Sequence, residues 1–330
     1  MRYKHLEKAN IDVSALAVGT WAIGAAGYGE VNEKDSIDAI RAMIDGGVNL
    51  IDTAPAYGLG HSEIVVGKAI QGMDRSKVFI ATKCGVSKLS LYGKKHPDHV
   101  GLIRDGRFEN ILYECECSLR RLGTDYIDVL FVHWPDVNTP LEETMEAMNV
   151  LKKEGKIRFV GVSNFSEEQI LTCEKVSQID VIQPPYSMVA RRDETLMKWA
   201  VGRGIGTFTY GSLGAGILTG TFRTPPTFGQ GDPRNEFYPF FVEPHFSKVM
   251  KVLDVMDKIS AETGKPLPQI AINWSTQKDF VSTALCGVRN PQEAAQNCAA
   301  FDWTLTDEQI AAIDAAIEAN LDFDGATPRR

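Results

Sequence analysis

The sequence has few cysteines, and their spacing builds no structural site. The six cysteines are scattered through 330 residues, without a CxxC pair or a dense framework. Structural zinc sites and disulfide-stapled scaffolds both need closer or more regular spacing, so we expect neither, and no metal. Scattered thiols of this kind are typical of a reducing compartment.

Long apolar runs and basic tracts are also missing. No stretch approaches the roughly 18 apolar residues that a membrane-spanning helix needs, and the opening MRYKHLEKANIDV lacks the apolar centre of a signal peptide. Lysine and arginine number 35 against 43 acidic residues, a formal charge of −8. Without a basic tract to neutralise phosphates, nucleic acid is not an expected partner. We expect a cytoplasmic protein with no membrane partner; nothing in the sequence decides its oligomeric state.

Along the chain, short apolar runs alternate with stretches whose apolar residues recur with the period of a helix. The predicted strands cover 15–21, 48–53, 78–83, 127–134, 157–163, 181–184, 205–210 and 281–288. The predicted helices between them cover 33–46, 62–71, 107–121, 141–154, 166–177, 193–203, 267–278 and 291–299. Eight such units predict an α/β fold, a (β/α)8 TIM barrel over residues 1–330 as one domain. An open doubly wound sheet is the alternative, but it normally has fewer strands, and no GxGxxG follows the first strand here.

Several pieces lie outside this repeat. A hairpin over 2–13 is predicted to plug the bottom of the barrel, and a helix over 306–319 to close its outside. Residues 211–246 hold several aromatic residues among glycines and prolines, and a helix over 247–263 follows. Loops this long in a compact domain usually serve as lids or binding loops.

Polar side chains stand where the predicted strands end. Asp52, Lys83 and His133 end the second, third and fourth strands, and Tyr57 lies on the loop after the second. Because active sites of such barrels form at the carboxyl ends of the strands, we expect these four side chains to meet at one mouth. Each alone has an ordinary structural explanation, such as a loop cap or a core histidine, but their joint occurrence on successive strand ends favours catalysis.

The chemistry that this quartet fits is proton transfer to or from an oxygen. A phenol titrates near 10 and is a poor acid or base at neutral pH unless a cation stabilises its phenolate. We expect Lys83 to lower the pKa of Tyr57, Asp52 to hold Lys83 in place, and His133 to hydrogen-bond the reacting oxygen.

Four segments resemble the signatures of the aldo-keto reductases: DTAPAYGLGHSE (52–63), TKCG (82–85), VHWPD (132–136) and VGVSNF (160–165). The likeness covers nearly the whole chain and points to the branch that includes long-chain bacterial members and potassium-channel β subunits. It implies a barrel that binds NAD(P)H without a dinucleotide fold and reduces carbonyls by hydride transfer. It also implies that Tyr57 is the general acid, that Lys83 and Asp52 tune it, and that His133 orients the substrate carbonyl.

The resemblance also implies a set of cofactor contacts. Amides and hydroxyls can hydrogen-bond a nicotinamide carboxamide, an aromatic ring can stack on it, and glycine-rich backbone can approach phosphates. YGSLGAGILTG (210–220) resembles the pyrophosphate loop, although Gly211 and Ser212 replace the usual serine and proline. The implied contacts are Thr20, Trp21, Ser163, Asn164, Gln183, Tyr210, Gly211, Leu213, Gly216, Gly287, Arg289, Glu293 and Asn297.

The choice between NADP and NAD depends on GVRNPQEAAQN (287–297), which resembles the adenosine-phosphate segment. Arg289 could pair with a 2′-phosphate, which favours NADP. Glu293 would repel that phosphate and could accept hydrogen bonds from a ribose diol, so NAD stays possible.

The substrate is expected to be a small carbonyl compound, sugar or polyol. Trp21 and Trp134, with the aromatic 211–246 segment, could form its apolar wall, and Tyr57 and His133 would contact the substrate beside them. The long polar loop over 86–106 would admit a hydroxylated substrate. Two alternatives remain: a cofactor-binding module like the channel β subunits with little turnover, and a barrel isomerase or lyase that uses Lys83 as a Schiff base.

Overall fold

The computed structural model describes residues 1–24, 32–87, 103–230, 232 and 234–326. Its centre is a closed barrel of eight strands, which confirms the fold class, and every neighbouring pair within it is parallel. The barrel strands are β3 (Leu16–Gly19), β4 (Leu50–Asp52), β5 (Phe79–Cys84), β8 (Ile127–Val132), β9 (Ile157–Ser163), β10 (Val181–Gln183), β11 (Gly206–Thr209) and β12 (Thr283–Gly287). They follow one another in chain order around the barrel, and β12 closes it against β3.

The remaining described strands form two small hairpins, β1 (Tyr3–Leu6) with β2 (Ile11–Ser14) and β6 (Val86–Ser87) with β7 (Ile103–Arg104). The described helices are α1 (Glu33–Asp45), α2 (His61–Ile70), α3 (Phe108–Leu122), α4 (Leu141–Lys153), α5 (Glu167–Cys173), α6 (Glu194–Val201), α7 (Arg234–Phe237), α8 (His245–Thr263), α9 (Leu267–Thr276), α10 (Pro291–Cys298) and α11 (Asp307–Asn320). None of them is both long and apolar enough to pass through a bilayer.

The inside of the barrel is filled by apolar side chains. Leu50, Val129, Phe131 and Phe208 share one buried cluster, and Leu6 and Val13 of the N-terminal hairpin belong to it. Leu6 approaches so closely that a Cβ on Gly206 would lie 2.9 Å from its side chain. The hairpin therefore closes one end of the barrel, as the sequence predicts, and leaves the strands' carboxyl ends for the site.

Side-chain caps mark where several of the helices begin. Asn32 accepts from the backbone N–H of Asp35 at the start of α1, and Ser166 and Thr306 each form a reciprocal capping box with a glutamine three residues on. The predicted start of α5 is thus confirmed. Its predicted end is wrong, because the helix stops at Cys173 and the chain continues to Ser177 in turns closed by backbone hydrogen bonds.

The segment predicted to be a lid, residues 211–246, holds short helical turns and an aromatic cluster. The rings of Phe222, Phe228 and Phe241 meet edge to face, with centroids 4.8–5.7 Å apart. Tyr238 and Phe240 extend the cluster and, with Tyr210 and Gly211, line a shallow pocket. We keep the name lid segment for residues 211–246.

Candidate active site

An ion pair between neighbouring strand ends lies at the centre of the candidate site. Lys83 Nζ, at the end of β5, lies 2.9 and 2.7 Å from Asp52 Oδ1 and Oδ2 and 2.9 Å from the carbonyl oxygen of Thr53. The ammonium has three N–H groups, and these oxygens satisfy them. Lys83 is 1% and Asp52 2% exposed. Parallel pairing of β4 with β5 brings the two residues together, since Asp52 pairs with Ala81 and Lys83 lies two positions on.

Tyr57 and His133 lie beside this ion pair. The Lys83 ammonium is 4.8 Å from the centroid of the Tyr57 ring. The rings of Tyr57 and His133 are 6.1 Å apart in an edge-to-face arrangement, and Trp21 is 6.5 Å from Tyr57 on another side. The four side chains predicted from separate strand ends are therefore grouped at one mouth of the barrel.

The charges at this mouth differ from the sequence expectation for the tyrosine. Burial raises the pKa of Tyr57 well above its ordinary 10.0, and the carboxylate of Asp52 raises it further. The net shift of the Tyr57 pKa is therefore upward, opposite to the sequence expectation, because burial outweighs any stabilisation of the phenolate by the Lys83 ammonium 4.8 Å from the ring. Burial likewise drives the pKa of Lys83 down and that of Asp52 up, while each partner opposes the shift of the other.

His133 is neutral in this environment. Burial lowers its pKa well below 6.5, and the positive charges of Lys83 and Arg104 lower it further. Its Nδ1 atom is buried without a hydrogen-bond partner among the described residues. Buried polar atoms are rarely left unpaired, and functional sites are one of the places where they are. The mouth thus presents a protonated phenol and a neutral imidazole.

A hydrogen-bond network joins the residues that the resemblance assigns to the nicotinamide. Gln183 Nε2 donates to Asp52 Oδ1 at 2.7 Å, and the hydroxyl of Ser163 donates to the main-chain oxygen of Gln183 at 2.8 Å. Asn164 Nδ2 donates to Ser163 Oγ and to the carbonyl of His133, and Tyr210 donates to Asn164 Oδ1 at 2.8 Å. The network connects the ends of β9, β10 and β11 to Asp52 and His133 at the mouth.

Asn164 occupies an unusual backbone conformation. Its φ is +64°, in the left-handed region where asparagine is one of the few tolerated side chains. The strained turn follows β9 directly and points the Asn164 amide to the hydrogen bonds with His133 and Tyr210. An asparagine after a strand end was a visible signal of this turn.

The tyrosine loop is held by a backbone contact that sequence reasoning missed. A Cβ on Gly24 would lie 2.6 Å from the carbonyl carbon of Tyr57, and a Cβ on Gly58 would lie 2.2 Å from the carbonyl oxygen of Gly24. The backbone at Gly24 therefore packs directly against the backbone of Tyr57 and Gly58, with no room for a side chain on either glycine. The glycines were visible in the sequence, but their contact joins loops that are more than 30 residues apart.

A buried chain of hydroxyls supports the same loop and engages Thr20. The hydroxyl of Thr20 donates to the carbonyl of Asp52 at 2.9 Å and accepts from Ser62 at 2.6 Å. Ser62 also contacts the Thr53 hydroxyl at 2.9 Å. Thr20 is 0% exposed. The Thr20 backbone is engaged as well, since its N–H donates to the Asp52 carbonyl and its carbonyl accepts from Ile23, so the cofactor contact of Thr20 stays a prediction.

The predicted pyrophosphate segment begins where β11 ends. Gly211 and Gly216 have φ values of +75° and +99°, and Ala215 is also left-handed at +51°. A Cβ on Gly211 would meet nothing within 4 Å. Leu213 precedes the 3-10 helix over Gly214–Thr219. Backbone with these conformations can turn its N–H groups toward a phosphate.

The predicted adenosine segment follows β12. Gly287 is exposed, with nothing within 4 Å of the position of a Cβ. Asn297 donates from Nδ2 to the carbonyl of Gly287 at 3.2 Å and is 6% exposed. Arg289 Nη2 lies 2.7 Å from Glu293 Oε1. The side chains predicted to contact the 2′ position are therefore paired with each other.

The predicted substrate wall is only partly described. Trp21 and Trp134 are partly exposed, and the guanidinium of Arg104 lies 4.8 Å from the Trp134 ring. The polar loop that favoured a hydroxylated substrate falls mostly in residues 88–102, outside the described residues.

Comparisons with known proteins agree with this geometry. The family model for the aldo/keto reductase family matches residues 15–318. The aldo-keto reductase YhdN of Bacillus subtilis is 40% identical over 97% of this chain and 95% of its own length. The NADH-specific methylglyoxal reductase of Escherichia coli is 33% identical over 95% of this chain and 98% of its own. The solved glycerol dehydrogenase AKR11B4 of Gluconobacter oxydans superposes with a TM-score of 0.86 at 35% identity, covering 97% of this chain and 96% of that one.

The barrel, the order of the four motifs and these matches lead to one assignment. The chain belongs to the aldo-keto reductase family of oxidoreductases, which act on carbonyl and alcohol groups.

Proposed function

We propose that the protein is an NAD(P)H-dependent oxidoreductase that interconverts an aldehyde, ketone or sugar carbonyl with its alcohol, and that residues 1–330 form one domain around this site. The observation that carries the proposal is the grouping of Tyr57, His133 and the buried Lys83–Asp52 ion pair at one mouth. Their chemistry is proton donation to an oxygen that becomes negatively charged.

The residues around the mouth fit a nicotinamide nucleotide. Ser163, Asn164 and Gln183 offer uncharged amide and hydroxyl groups that match a carboxamide, and Tyr210 adds an aromatic ring beside them. The glycine backbone after β11 suits a pyrophosphate. When bound, such a nucleotide supplies the hydride for reduction. Family members use NADH or NADPH, and one relative of this chain is named as NADH-specific.

The protein's own side chains then donate the proton and stabilise the charge that remains. Tyr57 is protonated at ordinary pH because its pKa is raised, so its hydroxyl can donate to the carbonyl oxygen as negative charge develops there. His133 is neutral and can donate one N–H to the same oxygen. The ammonium of Lys83 lies close enough to stabilise the phenolate that remains. In the direction of alcohol oxidation, the phenolate takes the proton back.

The Lys83 environment disfavours the isomerase or lyase alternative. A Schiff-base lysine must be unprotonated and free to attack a carbonyl. Lys83 instead donates to both oxygens of Asp52 and to the carbonyl of Thr53, and it is 1% exposed. An amine held in this way serves as a fixed positive charge.

A substitution at Tyr57 tests the proposal. The purified protein is mixed with NADPH or NADH and a panel of aldehydes, ketones and keto sugars, and loss of the reduced-nucleotide absorbance is followed. We expect turnover by the wild type and a fall in kcat of about 10²-fold or more in Tyr57→Phe, the usual worth of a general acid. Nucleotide binding should persist. Tyr113→Phe, an exposed tyrosine on α3, is the matched control and should react like the wild type.

The outcomes separate the three readings of the site. Nucleotide binding without turnover by the wild type would favour the module resembling channel β subunits. Neither binding nor turnover would favour the isomerase or lyase. Full activity in Tyr57→Phe would remove the tyrosine from the mechanism while leaving the family assignment intact.

A further inference from the structure

The turn after β12 is the place where a nucleotide would be selected. Barrels often form phosphate sites from the loops after the seventh and eighth strands and a helix N-terminus beside them. Here β11 and β12 are those strands, and α10 begins at Pro291 after the N-cap Asn290. Within residues 287–297 the sequence supplies one cation, Arg289, and one anion, Glu293.

These two side chains form more than a surface ion pair. Arg289 donates from Nη2 to Glu293 Oε1 at 2.7 Å and from Nε to the same oxygen at 3.2 Å. The backbone N–H of Arg289 also donates to Glu293 Oε2 at 2.8 Å. One carboxylate thus binds the guanidinium and also the main chain at the start of the turn.

A cap at the start of α10 fixes the backbone from which the Glu293 side chain extends. The N-cap side chain of Asn290 accepts from the backbone N–H of Glu293 at 2.9 Å, which fixes the first turn of α10. The Glu293 side chain is 28% exposed and that of Arg289 is 49% exposed. The pair is accessible to a ligand, and both carboxylate oxygens of Glu293 are engaged by Arg289, one by its guanidinium and one by its backbone N–H.

The net charge of this turn decides which ribose it accepts. An arginine alone attracts the 2′-phosphate of NADPH, whereas a carboxylate accepts hydrogen bonds from ribose hydroxyls. With Glu293 bound to it, Arg289 contributes no net positive charge. A 2′-phosphate would have to displace the carboxylate from two kinds of donor and then lie next to it, with repulsion between like charges. A free 2′-hydroxyl carries no charge, so it neither displaces the carboxylate nor is repelled by it.

We propose that this chain selects NADH over NADPH and that Glu293 is the residue that decides. The inference rests on the proposed function, in which a nicotinamide nucleotide lies across the barrel mouth. It reverses the preference for NADP that Arg289 favours when the sequence is considered residue by residue.

Nucleotide binding tests this without any turnover. The dissociation constants of NADH and NADPH are measured by titration calorimetry for the wild type and for Glu293→Gln, which keeps the shape and removes the charge. We expect the wild type to bind NADH at least ten-fold more tightly than NADPH. Glu293→Gln should bind NADPH at least ten-fold more tightly than the wild type does and should lose part of its affinity for NADH.

A fragment pair locates the effect at the ribose. Adenosine 2′,5′-bisphosphate and 5′-AMP differ only in the 2′-phosphate, so the substitution should improve binding of the first and not of the second. Glu116→Gln is the matched control, because Glu116 on α3 pairs with Lys156, which precedes β9 at the end of the barrel opposite the strands' carboxyl ends. It should leave all four dissociation constants unchanged.

Each outcome bears on one claim. Tighter binding of NADPH than NADH by the wild type, or an unchanged NADPH affinity in Glu293→Gln, would overturn the role of Glu293 while leaving the proposed hydride transfer in place. Failure of the wild type to bind either dinucleotide would overturn the proposed function and, with it, this inference.

Discussion

Lys83 donates to both carboxylate oxygens of Asp52, at 2.9 and 2.7 Å, inside a barrel mouth where neither residue is more than 2% exposed. Burying two charges is costly, and replacing such a pair with apolar groups often does not reduce stability. A protein that retains the pair at its strand ends therefore gains something other than stability. Here the gain is a positive charge fixed 4.8 Å from the Tyr57 ring.

The first prediction concerns removal of this charge. Lys83→Met leaves the Asp52 carboxylate buried and unpaired, so the free energy of unfolding should fall by about 3–5 kcal/mol. Turnover should be lost while the nucleotide still binds. Adding Asp52→Asn to Lys83→Met should recover most of the stability and none of the activity. Urea unfolding and steady-state kinetics on the single and double variants measure both effects, and rates like those of the wild type in Lys83→Met would contradict the role of the ammonium.

The second prediction concerns the glycine contact beneath Tyr57. In Gly24→Ala the new Cβ would lie 2.6 Å from the Tyr57 carbonyl carbon, so the loop must move and carry the phenol with it. A displacement near 1 Å can cost about 100-fold in rate. We expect a loss of that order in kcat, measured on protein shown to be folded by circular dichroism. Gly202→Ala, at a helix end with room for a Cβ, should be neutral. A variant of Gly24 with reduced stability but unchanged kcat would mean that the contact is only structural.

The third prediction is the pH dependence of the reaction. The pKa of Tyr57 is raised above 10.0, so the phenol is protonated at all lower pH values; the pKa of His133 is lowered below 6.5, so the imidazole is neutral at all higher values. Both groups keep the protonation states needed for reduction across that window. We therefore expect kcat for carbonyl reduction to be flat between pH 6.5 and 10. Alcohol oxidation needs the phenolate, and its rate should rise with pH over the same window. A titration inside the window for reduction, absent from Tyr57→Phe, would show that the phenol is more acidic than its surroundings indicate.

The fourth prediction concerns the lid segment. Phe228 contacts Phe222 and Phe241 edge to face, and the guanidinium of Arg234 lies 4.1 Å from its ring. Two aromatic pairs are worth about 1–3 kcal/mol together. Phe228→Ala should loosen the segment that follows the pyrophosphate loop and weaken nucleotide binding about ten-fold, as read by titration calorimetry. Phe228→Leu should recover part of the affinity, because it restores apolar bulk. Unchanged affinity in Phe228→Ala would separate the aromatic cluster from the nucleotide site.

The barrel itself could be predicted because each strand and helix is encoded locally. Apolar runs of four to eight residues, separated by stretches with helical periodicity, are recognisable in the sequence and correspond to the strands and helices of the fold. The capping residues Asn32, Ser166 and Thr306 mark helix starts by hydrogen bonds that reach only three residues ahead. The predicted end of α5 was wrong because this end has no local signal. No glycine or proline stands next to Cys173, and the chain leaves the helix through turns.

The sequence by itself also determined which four residues meet at the mouth: Asp52, Tyr57, Lys83 and His133. Parallel strands place their carboxyl ends at one edge, so residues that end successive strands must meet whatever the details of packing. Asp52, Lys83 and His133 are grouped for that reason. The residue types then limit the chemistry to proton transfer beside a fixed charge.

Only the tertiary structure decided how those groups are charged and what holds them. The raised pKa of Tyr57 comes from burial and from Asp52. The support beneath the tyrosine is a contact between Gly24 and Gly58, and Arg289 is paired with Glu293. Each of these depends on distances between atoms that sequence order leaves free. Electrostatic effects and steric fit vary steeply over a few ångströms, which is finer than any pattern of residue types can specify.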